Sequence, residues 1–154
     1  MSGKRIPEAD TNSLYAAKDN CPFCNLDNAR ILKANSHALA ISDAFPVSPG
    51  HTLILPKRHI SSFFDATQEE QAAMFELLSD MRDLLAGLST SSVARQGSLP
   101  TPPDGFNIGI NDGEAAGQTV MHLHIHLIPR YADDTQDPRG GVRWVMPEKA
   151  VYWR

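Results

Sequence analysis

Cysteines and long hydrophobic runs are both scarce in this sequence of 154 residues. The two cysteines, Cys21 and Cys24, are too few for the disulfide framework of a small secreted domain. Residues 1–20 are polar and contain no apolar stretch long enough for a signal peptide or a membrane span. We therefore expect a cytoplasmic location and no membrane partner.

An excess of positive charge is also missing. Fourteen lysines and arginines stand against eighteen acidic residues, the formal net charge is -4, and no basic cluster stands out. Because nucleic-acid-binding domains usually carry a basic patch, we expect no nucleic-acid partner. Phosphate groups can still be bound by backbone N–H groups, amides and hydroxyls.

What is present is the composition of one globular domain, with 42% hydrophobic and 21% charged residues. Two segments of strand length, residues 37–42 and 51–56, flank a turn-rich connector, which predicts antiparallel neighbours. Further strands are predicted at residues 106–110 and 118–128, and Pro129 is expected to end the second of them.

A long amphipathic helix is the most regular element that the sequence predicts. Thr67 and Glu70 have the spacing of a capping box at its start. Large apolar residues then recur at steps of three and four, which predicts one core-facing side. These residues are Met74, Phe75, Leu77, Leu78, Met81, Leu84, Leu85 and Leu88. Residues 89–105 are expected to form an exposed loop, and a helix packed on an antiparallel sheet makes an α+β domain.

His122, His124 and His126 alternate with aliphatic residues. On a strand, alternate side chains leave opposite faces, so the three imidazoles share one face while the aliphatic side chains enter the core. Three interpretations are open: polar residues on a solvated face, a catalytic metal site, or a histidine nucleophile. Chance explains the pattern poorly, because three of the six histidines fall within five residues.

A neutral imidazole can attack phosphorus and leave again when water attacks the N–P bond. Such a nucleophile needs its other ring nitrogen bonded to a nearby carbonyl, which presents the correct nitrogen to the substrate. Neutral donors must face the phosphoryl oxygens, and Asn111, Gln118 and Thr119 are of the right type. His126, on the same face as His124, is suited to sharing a proton with the oxygen that bridges to the leaving group.

The segment from Gly117 to Pro129, GQTVMHLHIHLIP, resembles the signature of the histidine-triad (HIT) superfamily, whose members hydrolyse or transfer nucleoside monophosphates. Residues 39–43 and 49–59 also resemble that family. The similarity therefore covers most of residues 21–131. The combination of these segments is specific, whereas an isolated H-x-H-x-H is not.

The resemblance implies a role for each matching residue. His124 corresponds to the nucleophile that carries the nucleotide, and His126 and Thr119 correspond to phosphate contacts. Asp43 corresponds to the ribose-binding acid, whose two oxygens suit a pair of vicinal hydroxyls. Asn111 corresponds to an amide on the phosphate side. A pocket for a purine base is implied at four apolar positions, Phe23, Leu26, Ile41 and Leu53.

The resemblance also implies an architecture. The family fold is a five-stranded antiparallel sheet with a long helix and a short N-terminal helix, and it is usually dimerised. We expect a polar N-terminal extension at residues 1–20 and a HIT catalytic domain at residues 21–131. Residues 132–154 are expected to form a C-terminal tail at a homodimer interface.

The pair Cys21 and Cys24 has three interpretations: a redox pair, two inert buried cysteines, or half of a structural zinc site. No βαβ pattern surrounds the pair, which argues against the redox interpretation. Spacing alone cannot choose two further zinc ligands. Some bacterial HIT proteins complete such a site with two histidines that match His59 and His122. His51 is then expected in a supporting or turn position.

The sequence thus predicts a hydrolase or transferase that cleaves nucleotides at the α-phosphate through a covalent nucleotidyl-histidine intermediate. The expected substrate is a dinucleoside polyphosphate such as diadenosine tetraphosphate. Two alternatives are an adenosine phosphoramidase of the same family and a nucleotide-binding module without significant turnover. Structural zinc is the expected metal, and no organic cofactor is expected.

Overall fold

The computed structural model describes residues 20–87, 99 and 101–153. The predicted N-terminal extension, apart from Asn20, lies outside the described residues, as does most of the predicted loop at residues 89–105. No helix in the described part of the chain is long and apolar enough to cross a membrane.

Five strands form one antiparallel sheet in the order β1-β2-β3-β5-β4. They are β1 Ile31–Ala34, β2 Ala38–Ser42, β3 Thr52–Pro56, β4 Gly105–Gly109 and β5 Ile125–Arg130. The helices are α1 Gln68–Leu85 and the short α2 Pro147–Ala150, with 3₁₀ turns at Asn28–Arg30, Phe63–Asp65, Glu114–Ala116 and Gly141–Val145. The predicted α+β architecture of an antiparallel five-stranded sheet with one long helix is confirmed. On the N-terminal side of the sheet, the short helix is the turn Asn28–Arg30.

The start of α1 is fixed by the predicted capping box. The Thr67 hydroxyl accepts the Glu70 N–H at 3.2 Å, and the Glu70 carboxylate accepts the Thr67 N–H at 2.9 Å. Arg58 forms a salt bridge with the buried Glu70 at 2.7 Å, and its hydrogen bonds lower the pKa of that carboxyl group. The helix start is therefore tied to the segment that follows β3.

One face of the sheet packs against α1 and forms the main core. Its largest fully buried members include Met74, Leu77 and Met81 from α1, together with Ile54 from β3 and Leu127 from β5. The periodic pattern predicted that Phe75 faces the core, but this residue is 49% exposed. Its ring lies at the edge of the core and contacts Phe63 with a centroid distance of 6.1 Å. Leu88 lies outside the described residues.

The predicted strand at residues 118–128 is wrong in its boundaries, because β5 begins at Ile125 and ends at Arg130. β3 pairs only with residues 125–127, so the chain before them has no ladder partner. It is held by a backbone hydrogen bond from Leu123 N–H to Ile60 C=O at 2.6 Å. The alternation of faces nevertheless persists across residues 122–127, since Leu123, Ile125 and Leu127 all enter the core.

Pro129 does not end β5 but lies inside it, opposite Phe106 of β4. Its carbonyl accepts a hydrogen bond from the Ser48 hydroxyl at 2.7 Å. In an antiparallel strand the N–H and C=O of one residue point to the same side. The N–H that proline lacks would therefore point toward the β2–β3 connection and away from β4, so no β4–β5 hydrogen bond is lost.

Substitution of the helix cap gives a test of this fold. Thr67→Ala removes the acceptor for the Glu70 N–H and is expected to lower the free energy of unfolding by about 1 kcal/mol. Urea denaturation measures this change. Ser36→Ala, in an exposed turn, is the matched control and should leave stability within about 0.5 kcal/mol. Equal stability of both variants would show that the capping box contributes nothing to α1.

Candidate active site

His124 lies just before β5 and is almost completely buried, with 7% of its surface exposed. Its Nδ1 lies 2.7 Å from the backbone carbonyl oxygen of His122. A carbonyl only accepts hydrogen bonds, so Nδ1 carries the proton and the lone pair is on Nε2. This is the orientation that a histidine nucleophile requires.

The neighbouring ring of His126 lies with its centroid 5.0 Å from that of His124. Burial is the main reason that the pKa of His126 falls from 6.5 to about 4, and the His124 and His51 rings act in the same direction. The two rings lie on the same side of the sheet, and His126 is neutral at physiological pH. As predicted, adjacent imidazoles of the triad lie close together on the face opposite to the helix.

His51 connects to this pair, although the sequence suggested only a supporting or turn position for it. Its Nδ1 accepts the Val47 N–H at 3.2 Å, so the ring proton lies on Nε2. That nitrogen is 3.0 Å from Nδ1 of His126 and 3.4 Å from a carboxylate oxygen of Asp43. Donation from His51 to His126 leaves the His126 proton on Nε2. The two rings therefore differ at Nε2: His126 carries a proton there and can donate, whereas His124 has a lone pair there.

Asp43, His51 and His126 lie close enough together to hold a metal ion. Coordination through Nε2 of His51 would move the ring proton to Nδ1, where the Val47 N–H already donates. The hydrogen-bond pattern therefore favours a chain of hydrogen bonds from His51 to His126 and Asp43 over a metal site at these three residues. Burial lowers the pKa of His51, and the Asp43 charge opposes this shift.

A tight turn places His51 at this position. Its N–H donates to the Ser48 carbonyl at 3.1 Å, and Pro49 and Gly50 occupy the two central positions. Gly50 has a φ of 85°, which suits glycine at the third position of such a turn. A Cβ atom at Gly50 would also lie 2.9 Å from a methyl group of Leu99.

The predicted phosphate donors lie in the loop that leads to the histidines, and they differ in availability. Gln118 is buried, and its amide accepts the Gly113 N–H at 2.8 Å and donates to the carbonyls of Ser61 and Val120. Its side chain thus holds the loop together. Thr119 is exposed, and Asn111 is half-buried. Direct contact of these side chains with phosphate stays a prediction.

The four residues predicted for the base pocket belong to one apolar cluster on the histidine side of the sheet. In this cluster Ile41 and Leu53 are buried and lie opposite each other on β2 and β3, with Phe23 and Leu26 packed against them. The Phe23 ring meets His124 edge-on at 5.2 Å. Asp43 follows β2 at the end of the same region. Base and ribose binding by these residues remain predictions.

Cys21, Cys24, His59 and His122 converge in a second cluster, in which one ligand atom from each lies within 4.8 Å of all the others. The Sγ atoms of Cys21 and Cys24 each lie 3.6 Å from Nδ1 of His122. Tetrahedral zinc with ordinary bond lengths separates a sulfur and a nitrogen ligand by about 3.6 Å. The donor set and its spacing therefore fit zinc, and four protein ligands make a closed, structural type of site.

The second nitrogen of His122 supports the same conclusion. Nε2 lies 2.9 Å from the Pro56 carbonyl, so it carries the proton and leaves Nδ1 unprotonated toward the cysteines. Burial lowers the pKa of His122, the hydrogen bond to Pro56 opposes this shift, and His59 and His124 lower the pKa further. Zinc bound here would hold the residue whose own carbonyl orients His124. The candidate zinc ligands and the His124 ring are thus linked through the backbone of one residue, His122.

Comparison with known proteins places this chain in a family. Residues 27–133 match the family model described as the HIT domain. The chain is 34% identical over 116 residues to an uncharacterised HIT-like protein of Mycoplasma genitalium, which covers 73% of this chain and 74% of that protein. The chain therefore belongs to the histidine-triad (HIT) family, as the triad and the upstream segments indicated.

Solved structures agree with this assignment. A HIT family protein from Bacillus anthracis superposes with a TM-score of 0.59 at 36% identity, covering 75% of this chain and 76% of that one. A zinc-bound histidine triad family protein from Mycobacterium smegmatis gives a TM-score of 0.61 at 32% identity, covering 78% and 81%. The second neighbour shows that zinc occurs within this family.

Replacing one cysteine tests the zinc site. We expect about one zinc ion per chain in the purified protein and none in Cys24→Ser, because the variant loses a thiolate ligand. The melting temperature should fall in the variant, and a chelator should lower it only in the wild type. Metal analysis and calorimetry measure both effects, with His37→Gln as a control at an exposed histidine. Full zinc content in Cys24→Ser would contradict the site.

The lowered pKa of His126 has a consequence for stability. Between about pH 6.5 and about pH 4, the unfolded chain takes up a proton at residue 126 that the folded chain excludes. Stability should therefore fall as the pH falls through this range, and His126→Gln should reduce the fall. Melting temperatures of wild type, His126→Gln and His37→Gln across the range provide the measurement. An unchanged slope in His126→Gln would refute the assignment.

Proposed function

We propose that this protein hydrolyses or transfers nucleotides at the α-phosphate through a covalent nucleotidyl intermediate on His124. One observation carries the proposal: the hydrogen bond from Nδ1 to the His122 carbonyl, which leaves Nε2 of a buried imidazole available as a nucleophile. Membership of the HIT family supports the same reaction class.

The residues of the site suggest two steps. Nε2 of His124 attacks the α-phosphorus, an N–P bond forms, and the bond from phosphorus to the leaving group breaks. The Nε2–H of His126 donates a hydrogen bond to the bridging atom, where negative charge develops. Water then attacks phosphorus and the N–P bond breaks. Over both steps one water is consumed, because its hydroxide goes to phosphorus and its proton to the leaving group.

A dinucleoside polyphosphate such as diadenosine tetraphosphate is the first candidate substrate. A structural neighbour of named activity supports it: the diadenosine triphosphate hydrolase of Plasmodium falciparum, at 25% identity and a TM-score of 0.59, covering 80% of this chain. In this candidate the leaving group is a nucleoside polyphosphate with several negative charges.

An adenosine phosphoramidate is the second candidate, in which the leaving group is an amine. A relative from Arabidopsis thaliana is an adenylylsulfatase, at 33% identity over 121 residues that cover 55% of its length. That name associates the family with a bond from adenylate to a group other than a second nucleotide.

A nucleotide-binding module without significant turnover is the rival from another class. Pure binding does not require a buried imidazole with its Nδ1 proton fixed and a hydrogen-bond donor at its side. The ordered set of His51, His124 and His126 therefore supports catalysis over binding alone. The same proposal includes a purine base in the substrate, a homodimer with residues 132–154 at its interface, and a cytoplasmic location.

Substitution of the nucleophile tests the mechanism. His124→Ala should lower turnover of diadenosine tetraphosphate and adenosine 5′-phosphoramidate by about 10⁴-fold or more, as for other covalent nucleophiles, and should retain nucleotide binding. Rapid quenching without acid followed by mass spectrometry should find AMP on His124 in the wild type. His37→Gln is the control. Turnover of both substrates by His124→Ala at the wild-type rate would overturn the proposal.

A further inference from the structure

The two cysteines lie at the ends of one tight turn. The Cys24 N–H donates to the Cys21 carbonyl at 3.1 Å, which closes a turn of four residues. The α-carbon atoms at the two ends of such a turn lie less than about 7 Å apart. Disulfide bonds join residues whose α-carbon atoms are about 4.4–6.8 Å apart. The backbone thus brings the two thiols into the range of a disulfide as well as into the range of a shared zinc ion.

The turn is held by contacts that do not involve its sulfur atoms. The Cys21 carbonyl also accepts the backbone N–H of Asn25 at 3.2 Å and the side-chain amide of Asn25 at 3.1 Å. The Sγ atoms of Cys21 and Cys24 lie within 4.8 Å of each other in the cluster that suits zinc. A disulfide between them therefore requires rotation of the two side chains and little movement of the main chain.

The two thiols differ in their access to solvent. Cys21 is 5% exposed, whereas Cys24 is half-buried. A small oxidant in solution therefore reaches Cys24 first, and Cys21 lies behind it as a second thiol. A thiol that coordinates a metal ion is held as the thiolate, which is the form that attacks peroxides. Redox-sensing sites in proteins commonly combine an accessible thiolate with a neighbouring cysteine.

The same turn contacts the candidate active site. Phe23, between the two cysteines, meets the ring of His122 edge-on at 5.9 Å and the ring of His124 at 5.2 Å. Nδ1 of His122 faces the sulfur atoms at 3.6 Å, and the carbonyl of the same residue orients His124. A change in the bonding of the two sulfurs is therefore transmitted to His124 by two routes, the Phe23 ring and the His122 backbone.

We propose that Cys21 and Cys24 form a redox switch, in which oxidation by hydrogen peroxide joins them in a disulfide, abolishes zinc binding and disturbs the orientation of His124. The inference goes beyond the proposed function and rests on it only for the effect on turnover. The candidate zinc ligands thus have a second task, which needs no thioredoxin-like fold because the chain oxidises only its own thiols.

The chemistry has two steps. The Cys24 thiolate attacks one oxygen of hydrogen peroxide, the O–O bond breaks, and the products are a sulfenic acid, Cys–SOH, and hydroxide. The Cys21 thiolate then attacks the Cys24 sulfur, the S–S bond forms and a second hydroxide leaves. The two sulfurs lose two electrons, which the peroxide gains. A disulfide has no thiolate charge for zinc, so only two histidines of the four ligands remain.

The switch is reversible. A dithiol transfers two electrons to the disulfide, becomes a disulfide itself and restores both protein thiols. The reduced pair can then bind zinc again. Further oxidation of one sulfur to a sulfinic acid would be irreversible, and formation of the disulfide competes with that reaction because the second thiol is close by.

Treatment of the zinc-loaded protein with hydrogen peroxide tests the switch. The intact mass should fall by about two mass units, for the two hydrogens lost when the thiols become a disulfide. A metal indicator should record about one zinc ion released per disulfide, and the melting temperature should fall with it. Turnover of adenosine 5′-phosphoramidate should decrease by about tenfold or more. Dithiothreitol followed by zinc should restore all four values.

Two variants of one cysteine separate disulfide formation from the loss of a ligand. Cys24→Asp supplies a carboxylate ligand and cannot form a disulfide. It should therefore keep its zinc at the peroxide concentration that empties the wild type. Cys24→Ser should show no decrease in mass, and peroxide should not lower its melting temperature further. His37→Gln, at an exposed histidine, is the matched control and should respond like the wild type.

The outcomes distinguish this inference from the proposed reaction. Release of zinc without the decrease in mass, or equal release from Cys24→Asp and the wild type, would overturn the switch. Retention of zinc by protein that contains the disulfide would do the same, as would unchanged turnover after the zinc has gone. Nucleotidyl transfer by His124 would stand in each of these cases. A working switch without any nucleotide on His124 would support this inference and contradict the proposed reaction.

Discussion

The hydrogen bond between Nδ1 of His124 and the carbonyl of His122 is the constraint on which the site depends. Because the acceptor is a backbone carbonyl, this hydrogen bond requires only that the backbone of residues 122–124 keeps its conformation. Two hydrogen bonds hold that conformation: one from Leu123 N–H to the Ile60 carbonyl, and one between the His122 ring and the Pro56 carbonyl. Both partners belong to β3 or to the segment just after it, and the ring of His124 is therefore oriented by main-chain atoms of the scaffold.

Each imidazole on this face has its proton position set by a different neighbour. Pro56 sets the proton of His122, the His122 carbonyl sets that of His124, and His51 sets that of His126. As a consequence, the three rings of this five-residue segment, residues 122–126, differ in the groups that they present. The first histidine directs the lone pair of Nδ1 toward the two cysteines, the second has a lone pair on Nε2, and the third carries an N–H at Nε2. Three identical side chains thus present different groups because their hydrogen-bond partners differ.

The elements with a strong periodic pattern could be predicted from the sequence. The cap at Thr67 and the apolar side of α1 follow from local rules, and the alternation of histidines with aliphatic residues showed which side of residues 122–127 faces the core. β1 was missed because its residues are mostly exposed and carry no apolar pattern. The link from His51 to His126 could not be foreseen, since it depends on the β3–β5 register, which pairs Leu53 with His126. A single sequence contains no direct signal for that register.

The residues that suit zinc come from distant parts of the chain, and Cys21 and His122 are 101 positions apart. Closing a loop of that length costs chain entropy before the ligands can meet. During synthesis, the two thiols leave the ribosome long before their imidazole partners do. If zinc binds these four residues, the coordination shell can be completed only after His122 has been synthesised and has reached the cysteines. Metal loading would then come late in folding, and it would require that the segment leading into β5 already lies beside β3.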